Sequence, residues 1–465
     1  MHFKTSLAAL VATGLGWSSF AHAETLEDAL VAAYSANPAL LAQRAQLRAT
    51  DELVPQALSN WRPTVKLSGD AGAISDATNA DDYLRPPPPQ EQNLFGRDGT
   101  FSVSEPLYRG GRTDAQTEQA EAQVKAGQEQ LAATEESVFI GVITAYLDII
   151  QNKALVDLNV NNEQVLQREL DATNDRFRVG EVTRTDTSQA QAALAGAHAG
   201  VRQAQATLRD SIATFTRLVG HRPNGLEAVS APDDLPGTLE ATDSSAAAAN
   251  PQVLAQQYTY EAAQHAVDLA FGALLPQVTL QGSYARTLDE SADGFYTRNA
   301  EVLVNVTVPI YQQGSEYSAV RQQKHTAGQQ KLQLDETRRE TVETASQNWE
   351  NWQSARARVV SFEEQVRAST VALQGIQREY LVGARTILDV LETEQSLLSA
   401  RVSLEQARHD ANLTAFQIKS SIGQLTAQTL RLRTPVYDPT QHYKDVHDQW
   451  VGTGVAPNYE NGGAK

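Results

Sequence analysis

The chain is 465 residues long, 41% hydrophobic and 20% charged, with a mean hydropathy of −0.39 and a formal net charge of −18. That length exceeds one ordinary domain, and the acidic balance argues against nucleic acid or an anionic lipid surface as the partner. Cysteine is absent and the one methionine is Met1, so disulfide frameworks and thiolate chemistry are excluded.

The N-terminus reads as an export signal. Lys4 supplies a thin positive start, LAALVATGLGWSSF a short apolar core, and Ala21-His22-Ala23 a small-x-small cleavage site. Residues 1–23 are thus expected to be removed, leaving Glu24 first and 37 basic against 56 acidic residues, a net of −19. No later stretch approaches a run of about 18 apolar residues, so any membrane contact is expected from strands.

From Glu24 onward the sequence repeats itself. NPALLAQRAQLRATDELVPQALSNWRPTVKLSGDAG, from Asn37, aligns at an offset of 213 with the segment that begins at Asn250. Farther along an offset of 203 pairs Pro106 with Pro309, Tyr108 with Tyr311, Val179-Gly180 with Val382-Gly383 and Gly220 with Gly423. A fixed offset sustained over that distance marks a duplication. The expected organisation is a first repeat over 24–231, a linker over 232–245, a second repeat over 246–437 and a flexible, glycine-rich polar tail over 438–465.

Each repeat reads helix, strand, strand, long helix, helix. Asn37-Pro38 and Asn250-Pro251 are N-caps followed by proline at the first helical position. After each opening helix the period changes from 3.6 to 2. Strands are expected over about 63–73, 99–106, 276–286 and 300–309. Val302, Val304, Val306 and Val308, for example, alternate with Glu301, Leu303, Asn305 and Thr307. Such segments suit an outer-membrane barrel, though a soluble sandwich alternates in the same way. Pro63, Pro106, Pro276 and Pro309 stand where strand patterns meet helical ones, which marks four strand-to-helix joints.

Long helices follow over 112–176 and 315–379, each roughly 100 Å at 1.5 Å per residue. Val138, Val142, Tyr146 and Ile149 form one apolar stripe; Val342, Ala345, Trp349 and Trp352 form its counterpart. Shorter helices are expected over 186–219 and 389–422. Each, joined end to end with its repeat's opening helix, comes close to the length of one long helix.

Between long and short helices lie FRVGEVTRTD, from Phe177 to Asp186, and YLVGARTILD, from Tyr380 to Asp389. Glycine ends one helix and an N-cap starts the next. An αα-turn alone explains Gly180, Gly383 and one acid apiece, but leaves over Arg385 and the pairing of Asp389 with Glu392, three residues apart on one helical face.

One chain supplies four strands, and a four-stranded sheet in a bilayer leaves two unpaired edges at a cost of several kcal/mol per unsatisfied group. Either the sheet lies outside a membrane, or two, three or four chains share one barrel.

These features together resemble the TolC family of outer-membrane efflux and secretion channels, over about Glu24 to Tyr437. The most specific parts are the duplicated order of elements, the joint prolines, YLVGARTILDVLETEQSLLSAR with its weaker copy, and FQIKSSIGQLTAQTL near the end of the second repeat. The resemblance implies an α+β membrane protein, a homotrimer in which four strands per chain build a shared transmembrane β-barrel. A long periplasmic α-helical barrel continues it. It also implies a periplasmic adaptor (membrane fusion) protein and an inner-membrane ABC or proton-driven transporter docked at the tip, no cofactor, and passage of small toxic molecules or secreted proteins without chemistry. It assigns Asp186, Tyr380 and Arg385 to links that hold the tip closed, Asp389 and Glu392 to an acidic constriction, and Val179, Gly180, Val382 and Gly383 to adaptor docking. Glu392 stands where an aspartate is more typical, and Pro86–Pro89 enlarges the first outside loop beyond the family's pattern.

Two other readings compete. A periplasmic coiled-coil adaptor shares the signal and the helices, but needs no alternating strands in two matched places. A periplasmic enzyme finds its best candidates in His442 and His447, whose spacing suits no metal-ligand pattern; both are expected to be surface residues of the tail.

Overall fold

A computed structural model of the chain describes residues 23–78, 90–289 and 294–455. The expected signal peptide up to residue 22, the Pro86–Pro89 segment and residues 456–465 lie outside the described residues. The first half contains α1 (Leu26–Ala36), α2 (Pro38–Asp51), α3 (Leu53–Leu58), β1 (Thr64–Thr78), β2 (Gln90–Tyr108), α4 (Arg112–Arg178) and α5 (Arg184–Val219). The second contains α6 (Leu239–Ala249), α7 (Pro251–Phe271), β3 (Gln277–Leu288), β4 (Tyr296–Thr307), α8 (Ser315–Leu381) and α9 (Ile387–Ser421), and α10 (Gln441–Val446) follows.

The chain forms two compact units: residues up to Ala33 with Val142–Ser230 and Phe362–His409, and Tyr34–Gly141 with Ala231–Ser361 and Asp410 onward. The second holds the sheet, antiparallel throughout in the order β1-β2-β3-β4. Its registers put Val65, Leu67, Phe101, Val103, Leu280, Tyr284, Val302, Val304 and Val306 on one face. Lys66, Ser68, Thr100, Ser102, Gln281, Ser283, Glu301 and Asn305 occupy the other. Side-chain hydrogen bonds link neighbours on the polar face: Ser283 to Glu301 at 3.2 Å, Asn305 to Gln281 at 2.7 Å and Thr287 to Asp98 at 2.9 Å. The apolar face is bare, with Leu67 82% and Val302 76% exposed.

The prolines bound the strands as their chemistry requires. Pro63 and Pro276 immediately precede β1 and β3, and Pro309 follows β4 by two residues. Pro106 differs from expectation: β2 runs on to Tyr108, and the register shifts between the two because proline has no N–H for the ladder. Beyond it Gly110, at φ 68°, meets Gly272 so closely that a Cβ on Gly110 would lie 2.5 Å from the Gly272 carbonyl oxygen. Glycine on both sides is what lets these two joints touch.

Several boundaries depart from the sequence reading. The opening helix of the first repeat, expected as one element, breaks at Glu52, because the Pro55 ring cannot tolerate a helical carbonyl at Asp51. Its counterpart α7 carries Asp268 at that offset and runs unbroken. β1 and β2 reach to Thr78 and from Gln90, well into the segment expected as loop. The 232–245 linker contains the start of α6, capped by the Thr238 hydroxyl accepting from the Ala241 N–H at 3.2 Å. Helices α1 and α6 are 11 residues each, at the same offset of 213.

The tail expected to be flexible is docked as far as Trp450. His442 is 7% exposed, its Nδ1 3.0 Å from Asp51 Oδ2, and Tyr443 packs on Val54, Ala57, Ala120 and Val124. Arg62 donates to the Gln449 carbonyl oxygen at 2.7 Å and lies 4.7 Å from the Trp450 ring. A buried Asp51 requires a partner, and His442, distant in sequence, supplies it. His442 is therefore no surface residue. A second departure concerns α4, where an 18-residue window reaches a mean hydropathy of 1.3, enough by length and composition for a membrane span. Half of that window is buried inside the protein, and Phe139, Val142, Ile143 and Tyr146 have no exposed surface.

Buried carboxylates fasten the chain beyond α9. Glu136 Oε1 accepts from the Leu425 N–H at 3.1 Å, and Glu135 accepts from the Ala427 N–H. Burial pushes Glu136 up to about 8, against the lowering effect of the Leu425 hydrogen bond and with the neighbouring Glu135 adding to the rise. The folded chain then holds a proton that the unfolded chain releases above its ordinary value. That contribution to stability is complete below about pH 4.5 and is lost as pH rises through about 8. Glu136→Gln fixes the neutral form, so the fall in thermal midpoint between about pH 5 and 8.5 should be shallower in the variant. An equally steep fall in scanning calorimetry contradicts the assignment.

Candidate functional site

The two interhelical turns lie in the unit that holds Val142–Ser230 and Phe362–His409. They are built alike. The Gly180 and Glu181 N–H groups donate to the carbonyls of Phe177 and Arg176 at 3.0 and 2.9 Å; those of Gly383 and Ala384 donate to Tyr380 and Glu379 at 3.0 and 2.9 Å. This paired bonding closes the last turn of a helix with a left-handed residue, and Gly180 and Gly383 stand at φ 80° and 79°. Val179 and Val382 project from the turns, 71% and 79% exposed.

Each following helix starts with a reciprocal cap. Thr183 and Asp186 exchange bonds of 2.7 Å (Thr183 N–H to Asp186 Oδ2) and 3.3 Å (Asp186 N–H to Thr183 Oγ1). Thr386 and Asp389 do the same at 2.9 and 3.3 Å. The helix starts therefore lie at Thr183 and Thr386. The turn accounts for one acid apiece, Asp186 and Asp389, and leaves Glu392 outside the cap. Hydrogen bonds from Thr386, together with Arg385, hold the Asp389 carboxyl below the usual aspartate range.

Arg385 donates through Nε to Glu379 Oε2 at 3.0 Å, and its Nη1 lies 3.9 Å from Asp389 Oδ1. Tyr380 packs against the cluster of Leu166, Leu194, Ala197, Ile387, Val390 and Leu391. The Arg176 guanidinium lies 4.7 Å from the Tyr380 ring and bonds Glu181 at 3.1 Å. Among the described residues no hydrogen bond or ion pair joins Asp186 to Tyr380 or Arg385 within the chain. Arg176 is the residue that sequence reasoning missed. It ties the end of α4 to the end of α8, and its signal was its place beside Phe177, which the 203 offset matches with Tyr380.

Glu392 is exposed and borders a groove of about 690 Å³ lined by Gln189, Ala193, Leu388, Leu391 and Gln395 among others. Gln189 and Glu392, equivalent positions of the two repeats, thus meet on one groove. Deeper in, Glu394 is buried, accepts from Gln377 at 3.2 Å and is pushed up, first by burial and then by Glu169. Among the described residues no group of histidine and carboxylate side chains is arranged to hold a metal ion. The turns offer charge, shape and exposed valine.

Residues 29–221 and 244–424 match the outer membrane efflux protein family. The chain is 33% identical over 434 residues to the outer membrane efflux protein BepC of Brucella suis, covering 92% of each protein. It is 26% identical to the outer membrane protein TolC of Vibrio cholerae, covering 91% of this chain and 97% of that one. Its fold is similar to the Campylobacter jejuni CmeC outer membrane channel, with a TM-score of 0.77 at 15% identity over 91% of this chain and 89% of that one. The chain belongs to the outer membrane efflux protein family, the family of TolC.

Proposed function

We propose that three copies of this chain form one outer-membrane channel, in which the four-stranded sheets close a common transmembrane β-barrel and the long helices continue it as a periplasmic α-barrel. A periplasmic adaptor protein and an inner-membrane ABC or proton-driven transporter dock at the hairpin turns and deliver small toxic molecules or secreted proteins for export. The observation that carries this reading is the sheet. One face is apolar and exposed, the other polar and hydrogen-bonded, and among the described residues β1 and β4 each have a partner strand on one side only. Water tolerates such an object poorly, and lipid tolerates it only when every edge is paired.

The turns act as the gate. Asp186 has lone pairs left after capping α5, and Arg385 has donors left after bonding Glu379. Both therefore remain available to a neighbouring copy, with Tyr380 completing the link. Replacing both, as Asp186→Asn with Arg385→Gln, should raise the resting conductance of single channels in planar bilayers, while Asn keeps the α5 cap. Conductance equal to the unmodified channel removes these residues from the gate.

Asp389 and Glu392, repeated around a threefold axis, form the acidic constriction and favour cations. Because Asp389 also caps α9, the informative change is Asp389→Asn with Glu392→Gln, which removes charge and keeps the acceptor. Reversal potentials in a salt gradient should move toward zero selectivity. An unaltered reversal potential places selectivity elsewhere. Val179, Gly180, Val382 and Gly383 are the docking surface for the adaptor, presented by the left-handed turn geometry.

A further inference from the structure

The apolar face of the sheet changes character toward its hairpin end. There it presents Arg97, Arg286 and Arg298. Arg286 stands directly opposite Arg298 in the β3–β4 register, while Arg97 opposes Leu288, two residues along the same face from Arg286. Like charges directly opposite on a sheet destabilise it unless a counter-charge is supplied. Among the described residues Asp289 reaches this group, through Arg97 at 3.4 Å, and no ion pair joins a carboxylate to Arg286 or Arg298. Arg298 lies 5.1 Å from the Tyr296 ring and Arg97 5.8 Å from the Phe95 ring, contacts that favour a guanidinium partly removed from water.

The depth of the cluster is defined by the strand. Ten residues separate Val308 from Arg298. That is about 33 Å of strand at 3.3 Å per residue, or about 25 Å of depth at a tilt of about 40°, the height of the apolar band on an outer-membrane barrel. Phe95, Phe101, Tyr284 and Tyr296 on this same face lie at the level of an aromatic girdle. The arginines thus sit at the rim of the band on the side away from the helix joints.

We propose that Arg97, Arg286 and Arg298 bind the phosphate groups of an outer-leaflet lipid, a site that rests on the reading of this sheet as membrane-spanning. The planar guanidinium fork matches phosphate oxygens bidentately, and a phosphate supplies the counter-charge that the facing Arg286 and Arg298 lack. Continuity with Ala300, Val302 and Val304 below selects a lipid over a soluble anion, because acyl chains gain contact with the strands while the headgroup is held above. The chain's net charge of −18 argues against attraction to anionic surfaces as a whole; this site depends on three cations gathered on one face, where Asp289 pairs with Arg97 and the positions of Glu91 and Glu105 lie six and eight residues away along β2.

The purified full chain in detergent is titrated with diphosphorylated lipid A, with the same lipid after enzymatic dephosphorylation, and with inorganic pyrophosphate, and bound lipid is counted by native mass spectrometry. The unmodified chain should retain the phosphorylated lipid about tenfold better than the dephosphorylated one. Arg286→Gln with Arg298→Gln should abolish that preference, and Lys66→Gln, which removes a cation from the polar face, should leave it intact. Equal retention of the two lipids by the unmodified chain overturns the proposal without recourse to any variant. So does an unchanged preference in the double variant, or displacement of the lipid by pyrophosphate at equal concentration. Flotation with phosphocholine vesicles separates the two failures: a chain that does not insert loses the membrane sheet and the site together, whereas one that inserts without phosphate preference loses the site alone.

Discussion

The unpaired edges of the sheet are the constraint on which the remaining architecture depends. Among the described residues, β1 and β4 each leave a row of N–H and C=O groups without partners. In hydrocarbon each such group costs several kcal/mol, while the bare face made by Leu67, Val302, Val304 and Val306 has no use for water. No rearrangement of four strands in one copy satisfies both demands. Sharing one barrel among copies, as proposed above, satisfies them, and each strand must then give way to helix at its joint. The proline joints and the glycine contact between Gly110 and Gly272 are where the chain makes that change of direction.

A second consequence concerns the helices. Both long ones are 67 residues, and their surfaces are rich in Gln, Glu, Asn, Thr and Ala, so little apolar area is available to hold them. Specific polar contacts make up part of the difference. Tyr146 places its hydroxyl 2.8 Å from the Glu24 carbonyl oxygen, Asn152 donates to Ser211 at 2.8 Å, and Glu136 holds Leu425. Buried polar groups of this kind are costly when broken and selective when made. They suit a protein that must keep register along long helices.

Much of this was legible in the sequence because it rests on periodicity and on residues with narrow conformational roles. The two-residue alternation of Val302, Val304 and Val306 marked a strand, Val-Gly marked each turn, and Asn37-Pro38 and Asn250-Pro251 marked helix starts. What escaped notice needed a partner from far away. Nothing near His442 announces Asp51, so a polar tail looked unanchored, and Arg176 is connected to Tyr380 in the sequence only through the repeat offset that matches its neighbour Phe177 with Tyr380. Pro55 lies inside the segment read as one opening helix, and its ring breaks that helix at Glu52. Asp389 carries two signals: its position three residues after Thr386 marks a cap, and its pairing with Glu392 on one helical face suggests a ring. Both roles are compatible, because a cap uses hydrogen-bond acceptors and leaves the charge in place.

The central claim, that β1 of one copy pairs with β4 of the next, is open to direct measurement because the chain contains no cysteine. β1 and β4 run antiparallel at the two ends of the sheet, three strand spacings or about 14 Å apart, which is too far for a disulfide within one copy. Val65→Cys with Val302→Cys, on one rung of the sheet, and Val65→Cys with Val306→Cys, four residues along, place thiols on the same face of the two edges. Oxidation in intact outer membranes should give a ladder of linked dimers and trimers for at least one pair and none for any single substitution. Only monomers from both pairs, in membranes where the chain is inserted, would contradict a shared barrel.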